Sequence, residues 1–291
     1  MVKKLSELYL EARRTLAEQE DLQTAGLMAR NLLCAITEQT PEQFLARREM
    51  YASEEQEARL KQAVQRILEG EPLAYVLGQW DFYGMTLTVN KSVLIPRDDT
   101  CAVTDLAIKT ALFLDSGPRI LDLCTGSGCI GLAIATRVKD ARMTLADISP
   151  DAIAVAKQNI KSQKLQGRAA CVSVDALKAP PAFLGKFDMI VSNPPYITGA
   201  EMEQLDPSVK DFEPHLALYG GEDGLDFYRA IAANFKNALK PGGYLCFEFG
   251  MGQGDGVCRI LAENGYTILE RTRDYNDIER AVLAQYSGKE D

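Results

Sequence analysis

Residues 119 to 131 read R-I-L-D-L-C-T-G-S-G-C-I-G, a short apolar run that passes straight into three glycines, Gly126, Gly128 and Gly131. Such a run before a glycine loop and a helical stretch is the opening of a βαβ unit, where glycine lets backbone approach a ligand at a helix N-terminus. Outward from it the pattern repeats. Strand-like runs at 143–148, 170–174, 187–192 and 243–249 alternate with helical spacing at 129–138, 150–162, 225–239 and 254–264. That alternation specifies an α/β protein with a doubly wound, mostly parallel sheet and right-handed crossovers. The runs at 266–271 and 280–286 have no helix between them, so they are expected to pair antiparallel at the sheet edge.

Upstream the composition changes. Residues 1–70 hold two of the chain's 22 glycines, and Leu5, Leu8, Tyr9, Ala12 and Leu16 recur at helical spacing, as do stripes over 25–35 and 54–68. A small helical bundle is expected over 1–72. Between 73 and 97 the pattern becomes alternation, with Leu87 and Val89 on one face and Thr86 and Thr88 on the other, and Gly84 and Asn90-Lys91 supply turns. This reads as a β-hairpin joining the bundle to the sheet.

The chain of 291 residues has a net charge of −9, from 32 basic and 41 acidic residues. Phosphate neutralisation by Lys and Arg dominates nucleic-acid binding, so no direct nucleic-acid specificity is expected. Residues 1–70, with ten basic and twelve acidic residues, suit protein docking better than DNA reading. The start M-V-K-K-L-S-E-L carries no apolar signal core, and no stretch approaches the ~18 apolar residues of a membrane span. A cytoplasmic protein is expected. Seven scattered cysteines without a C-x-x-C pair, and a single histidine, His215, read as reduced, mostly core thiols and a loop histidine, with no metal site.

Strand two of the sheet ends at Asp147, 19 residues after Gly128, where a carboxylate can accept hydrogen bonds from the ribose hydroxyls of an adenosine group. A nucleoside cofactor at the carboxyl edge of the sheet follows. A nicotinamide dinucleotide would place its pyrophosphate on the helix N-terminus; S-adenosylmethionine carries no phosphate and tolerates carboxylates. Asp122, inside strand one, favours the second, because a carboxylate beside the loop disfavours a pyrophosphate. It is equally a residue that shapes the loop. Asp175, at the end of strand three, stands at the height of the adenine, or else serves as a turn residue.

Strand four ends in S-N-P-P-Y-I. A planar NH2 group that accepts a methyl must have both N–H bonds held so that nitrogen presents a face. The Asn193 side-chain oxygen and the Pro194 backbone oxygen can accept them, and the Tyr196 ring can stack on the plane. Pro194 and Pro195 stiffen the mount and offer no competing N–H. Asn193, Pro194 and Tyr196 are therefore the candidate catalytic residues, and Asn193 to Tyr196 the candidate substrate grip.

Several stretches resemble the release-factor glutamine methyltransferases, the HemK/PrmC family: G-Q-W-D-F-Y-G, V-L-I-P-R-D-D-T, L-D-L-C-T-G-S-G-C-I, A-D-I-S-P-D-A-I, V-S-N-P-P-Y-I, F-E-P-H-L-A-L, G-G-E-D-G-L-D-F-Y-R and R-D-Y-N-D-I-E-R. The resemblance implies a class I, Rossmann-like methyltransferase domain over 98–291 and a bundle that docks substrate. It implies S-adenosylmethionine contacts at Cys124, Thr125, Gly126, Ser127, Gly128, Asp147 and Asn193, with S-adenosylhomocysteine as product. The implied substrate is the glutamine of the Gly-Gly-Gln loop in peptide-chain release factors. Amino-methylation of DNA or RNA, or of a ribosomal-protein glutamine, is the alternative. Three positions depart from the family. Cys124 replaces a usual glycine, tolerable where the backbone avoids positive φ; Cys101 replaces a glutamate; and Ala176 falls where some members set an aromatic beside the adenine.

Overall fold

The computed structural model describes residues 3–115 and 117–288, which divide into two units, Met1–Gly78 with Pro207–Phe212, and Gln79–Asp206 with Glu213–Asp291. The first is helical: α1 (Leu5–Leu16), α2 (Leu22–Thr37), α3 (Pro41–Arg47), α4 (Glu54–Leu68) and the short α5 (Leu73–Leu77). Each stripe turns inward, so that Leu5, Leu8, Leu16, Leu32, Leu33, Leu60 and Val64 share one apolar core. Asp21 caps α2, and Thr40 and Ser53 form capping boxes with Gln43 and Gln56 at the starts of α3 and α4.

The second unit begins with a hairpin, β1 (Gln79–Phe82) and β2 (Met85–Thr88), turned by Tyr83-Gly84. Then follow α6 (Cys101–Leu112), β3 (Arg119–Leu123), α7 (Cys129–Arg137), β4 (Arg142–Asp147), α8 (Pro150–Ser162), β5 (Ala169–Ser173), β6 (Phe187–Ser192), α9 (Asp226–Asn234), β7 (Leu239–Glu248), α10 (Gly254–Glu263), β8 (Tyr266–Arg273) and β9 (Glu279–Tyr286). The seven strands order as β5-β4-β3-β6-β7-β9-β8, parallel through β7, with β9 antiparallel to both β7 and β8.

Both faces of this sheet are covered, which is why its strands read as near-continuous apolar runs. Ile120, Met189 and Val191 pack with α6, α7 and α8 on one face, whereas Leu121, Ile190 and Phe247 pack with Tyr228, Phe235 and Ile260 from the α9 and α10 side. The helical pattern expected over 225–239 divides: regular helix stops at Asn234 and a 3-10 turn, Phe235–Ala238, leads directly into β7. Tightening the last turn satisfies terminal carbonyls before the chain must extend. Among the described residues, Cys246 is fully buried and the other six cysteines, half-buried, pack against the apolar clusters as free thiols. No described helix is long and apolar enough to cross a membrane.

Strand order sets the location of the site. The chain winds outward through β3, β4 and β5, then crosses back to place β6 on the other side of β3. The loops after β3 and β6 therefore diverge at a switch point, where open α/β sheets bind ligands outside the carboxyl ends of their strands.

Candidate active site

Leu123 of β3 lies beside Ala146 of β4 and Ser192 of β6, so the glycine loop, Asp147 and Asn193 leave the sheet at one level. The Ser192 hydroxyl donates to the Leu123 carbonyl at 2.6 Å, which ties the two central exits together. Three residues of the loop adopt positive φ: Cys124 at 60°, Gly126 at 53° and Gly128 at 85°. A Cβ on Gly131 would lie 2.3 Å from Leu145 Cδ2 and 2.9 Å from Asp122 Oδ2, so glycine permits α7 to close onto the sheet.

Asp122 is the shaper of this loop. It is buried beneath it and absent from the cleft wall, and its Oδ2 accepts from the Thr125 hydroxyl at 2.6 Å and the Gly131 N–H at 2.9 Å. Burial pushes its carboxyl up to about 7, against those two hydrogen bonds. The condition set for Cys124 is not met, since its backbone is left-handed, a conformation that costs a side-chain-bearing residue roughly 1–2 kcal/mol. Cys124→Gly is expected to unfold at or above the wild-type temperature, whereas β-branched Cys124→Val loses at least ~2 kcal/mol in a denaturant titration. Equal stability of the two variants would contradict the strain.

An open cleft lies over the loop, lined by Cys124 to Ser127, Asp147, Asp175, Ala176, Asn193 and Pro195. Of the sequence candidates, Gly128 stands one step behind as the N-cap of α7. Asp147 Oδ2 accepts from the Gly126 N–H and Oδ1 from the Ser149 N–H, both at 2.9 Å, and burial raises its pKa. Two carboxylate oxygens offer about four acceptor positions, so capacity remains toward the cleft. Asp175 is drawn into a turn: its Oδ1 accepts from the Leu177 N–H at 3.0 Å and Lys178 lies 2.9 Å from Oδ2, which lowers its pKa. Ala176 is buried, and the apolar surface missing there is offered instead by Ile148, Leu177 and Leu216, each about half exposed on the cleft wall.

Asn193, Pro194 and Pro195 follow β6, with both prolines buried. The Asn193 Nδ2 donates to the Thr100 hydroxyl at 3.3 Å. A second cleft, lined by Asp98, Asp99, Glu201, Met251 and Arg280, shares Arg97 with the first, and Tyr196 faces it. Arg97 is ion-paired with the buried Glu213, whose Oε2 also accepts from the Ile95 N–H at 3.2 Å. His215 is exposed, in a 3-10 turn against Tyr219.

Other residues that build the site were not evident from the sequence. The Ile197 N–H donates to Leu218 O and the Gly220 N–H to Ile197 O, both at 2.9 Å, and Gln253 Nε2 donates to Tyr196 O at 2.9 Å. Gly220, Gly224 and Gly250 meet this segment at distances that admit no Cβ without displacement. Asn159 on α8 donates to Ser127 O and Thr88 O, both at 2.9 Å, and so joins the hairpin to the glycine loop. Glu248, at the end of β7, is 2% exposed beside Asn193. Burial pushes its carboxyl up to about 8, opposed by Thr100, Arg280 and Asn193.

Two family models match, the PrmC N-terminal domain over residues 7–78 and the Methyltransferase small domain over 104–208. The release factor glutamine methyltransferase of Clostridium acetobutylicum is 42% identical over 217 residues, covering 75% of this chain and 76% of its own. That of Bradyrhizobium diazoefficiens is 37% identical over 282 residues, covering 94% and 93%. Among solved structures, a methyltransferase from Pyrococcus furiosus superposes with a TM-score of 0.50 at 17% identity, over 77% of this chain and 98% of that one, which is a likeness of fold. The chain belongs to the release factor glutamine methyltransferase family.

Proposed function

We propose that this protein is an S-adenosylmethionine-dependent protein-(glutamine-N5) methyltransferase, and that its substrate is the glutamine of the Gly-Gly-Gln loop in peptide-chain release factors. The observation that carries the reading is the position of Asn193-Pro194-Pro195-Tyr196. Asn193 and Pro195 line the cleft over the glycine loop and Tyr196 lines its neighbour, so one rigid segment separates two pockets.

The first cleft fits the cofactor. Its charged lining residues are Asp147, Asp175 and Arg97, and Arg97 is already paired with Glu213. Such a surface suits a cationic ligand better than a pyrophosphate. The buried Ser127 hydroxyl has no hydrogen-bond partner among the described residues, and a Cβ added at Gly126 would meet nothing within 4 Å, so backbone there is open to a ligand. Asp147 would hold the ribose hydroxyls, and Ile148 and Leu177 would supply the apolar surface about the adenine. When bound, S-adenosylmethionine supplies an electrophilic methyl group at its sulfonium and leaves as S-adenosylhomocysteine.

The protein's part is to grip and orient. Asn193 Oδ1 and the Pro194 carbonyl oxygen accept the two N–H bonds of the substrate amide, which turns the face of its nitrogen toward the first cleft. The Tyr196 ring covers the amide plane, and burial together with nearby Glu248 holds its phenol un-ionised. Carboxylate acceptance of the amide proton is not required, because a methylated amide cation is strongly acidic. Positioning and exclusion of water account for the rate. The helical unit would dock the release factor.

Incubation with labelled S-adenosylmethionine is expected to label a release factor, and peptide mapping to place the methyl group on a glutamine side chain. Stronger labelling of plasmid DNA than of the release factor would replace this reading with nucleic-acid amino-methylation.

A further inference from the structure

We propose that Thr100 and Glu248 are positioning residues that lock the Asn193 amide with its oxygen toward the substrate. The inference rests on the amide-gripping role given to Asn193. That role demands one orientation of a side chain whose two ends differ only in an oxygen and an NH2 group, since the wrong end would present donors to a donor.

The fold supplies the discrimination. In the register of β6 and β7, Ser192 lies beside Phe247, so the next residues, Asn193 and Glu248, leave the two strands side by side. Glu248 is held there by β9, whose Ala281 is its partner, and by the Tyr228 hydroxyl, which donates to its backbone carbonyl at 2.9 Å. Its carboxyl is buried, the Thr100 and Asn193 side chains oppose the rise that burial imposes on its pKa, and Oε2 keeps no partner among the described residues. Thr100, 2% exposed at the start of α6, accepts from Asn193 Nδ2 at 3.3 Å. A hydroxyl that accepts there has its own proton free to donate, and the carboxyl of Glu248 is the acceptor beside it.

The arrangement inferred is a directed chain in which Asn193 donates to Thr100, as observed, and both Asn193 and Thr100 turn their remaining protons toward the adjacent Glu248 carboxyl. The ionised form of Glu248 has no donor to offer in return, so it is in that form that the Asn193 NH2 faces inward and Oδ1 faces the substrate. Hydrogen bonds linked this way polarise one another, which makes Oδ1 a stronger acceptor as positive charge grows on the substrate nitrogen. A purely structural Glu248 would have no need of this neighbour, and an unpaired buried carboxyl is costly to retain.

Glu248→Gln preserves shape but restores an NH2 that competes with Asn193. It is expected to lower kcat about tenfold or more, with KM for the release factor and the dissociation constant for S-adenosylmethionine within about threefold of wild type. Thr100→Val should lower kcat similarly, and Thr100→Ser, which retains the hydroxyl, should recover most of that loss. An independent readout is the pair of Asn193 side-chain amide resonances, identified by their disappearance in Asn193→Ala. They are expected to shift in Glu248→Gln and Thr100→Val and to return toward wild type in Thr100→Ser. Unmoved resonances, or a kcat loss that merely follows a drop in melting temperature or cofactor affinity, would overturn the proposal. If wild-type protein fails to methylate a release factor, the functional reading fails, while the resonances still decide whether the chain of hydrogen bonds exists.

Discussion

Asn193→Ala is expected to lower kcat by roughly 10²–10³-fold, the cost of removing one aimed hydrogen-bond partner from a pre-organised site. The loss should fall on kcat, because the bond to the substrate N–H strengthens as positive charge develops on nitrogen and is weaker in the ground state. Cofactor affinity should change by no more than about threefold, since Asp147, the loop through Ser127 and the Ile148 and Leu177 surfaces are untouched. Calorimetric titration with S-adenosylmethionine and single-turnover methyl transfer separate the two quantities. A variant that binds cofactor and still transfers methyl at the wild-type rate would refute the grip. Stability should fall little, because Asn193 is only half-buried and makes one hydrogen bond of 3.3 Å, to Thr100.

Gly220→Ala should do comparable damage from outside the catalytic segment. Its Cβ would lie 2.6 Å from Pro195 O and 2.6 Å from Tyr196 Cα, both backbone atoms that no rotamer change can move. The strand-like bridge between Ile197 and Tyr219 holds the two segments at this spacing. The clash must therefore displace Pro195-Tyr196 by several tenths of an ångström or break the bridge. Overpacking of this kind costs about 1–3 kcal/mol, and misplacement of a positioning segment costs up to about 10²-fold in rate. Gly167→Ala is the matched control, because a Cβ there meets nothing within 4 Å. Activity of Gly220→Ala at the level of Gly167→Ala would contradict the clamp.

The fold was legible because both kinds of evidence in the sequence were local. Ile120-Leu121 and Met189-Ile190-Val191 are buried from both sides, so they read as continuous runs, and each is followed by its loop within two or three residues. The antiparallel edge was legible from the lack of a helix between β8 and β9, although the order that sets β9 between β7 and β8 was not. Candidate site residues such as Gly126, Asp147 and Asn193 stood at strand ends, where their chemistry could be read from position.

The missed residues act through register or contact. Glu248 sits inside F-E-F-G and looks like an outward-facing polar residue of an edge strand; only the pairing of β7 with β6 and β9 makes it a buried neighbour of Asn193. Thr100 is 93 residues from Asn193 in the chain. Gly220 and Gly224 read as turn residues, and what they exclude is a Cβ against a segment more than twenty residues earlier. Asn159 resembles any polar residue of an amphipathic helix until the hairpin closes over it. The backbone of Cys124 is not legible in the sequence for a different reason, since its left-handed conformation follows from how the loop leaves β3 and not from its own identity.

The central claim is that Asn193 to Tyr196 grip the amide of one glutamine. Its most direct test is transfer of labelled methyl from S-adenosylmethionine to a release factor and, in parallel, to the same factor with the Gly-Gly-Gln glutamine replaced. The account predicts labelling of the first and none of the second above background; equal labelling of both would contradict it.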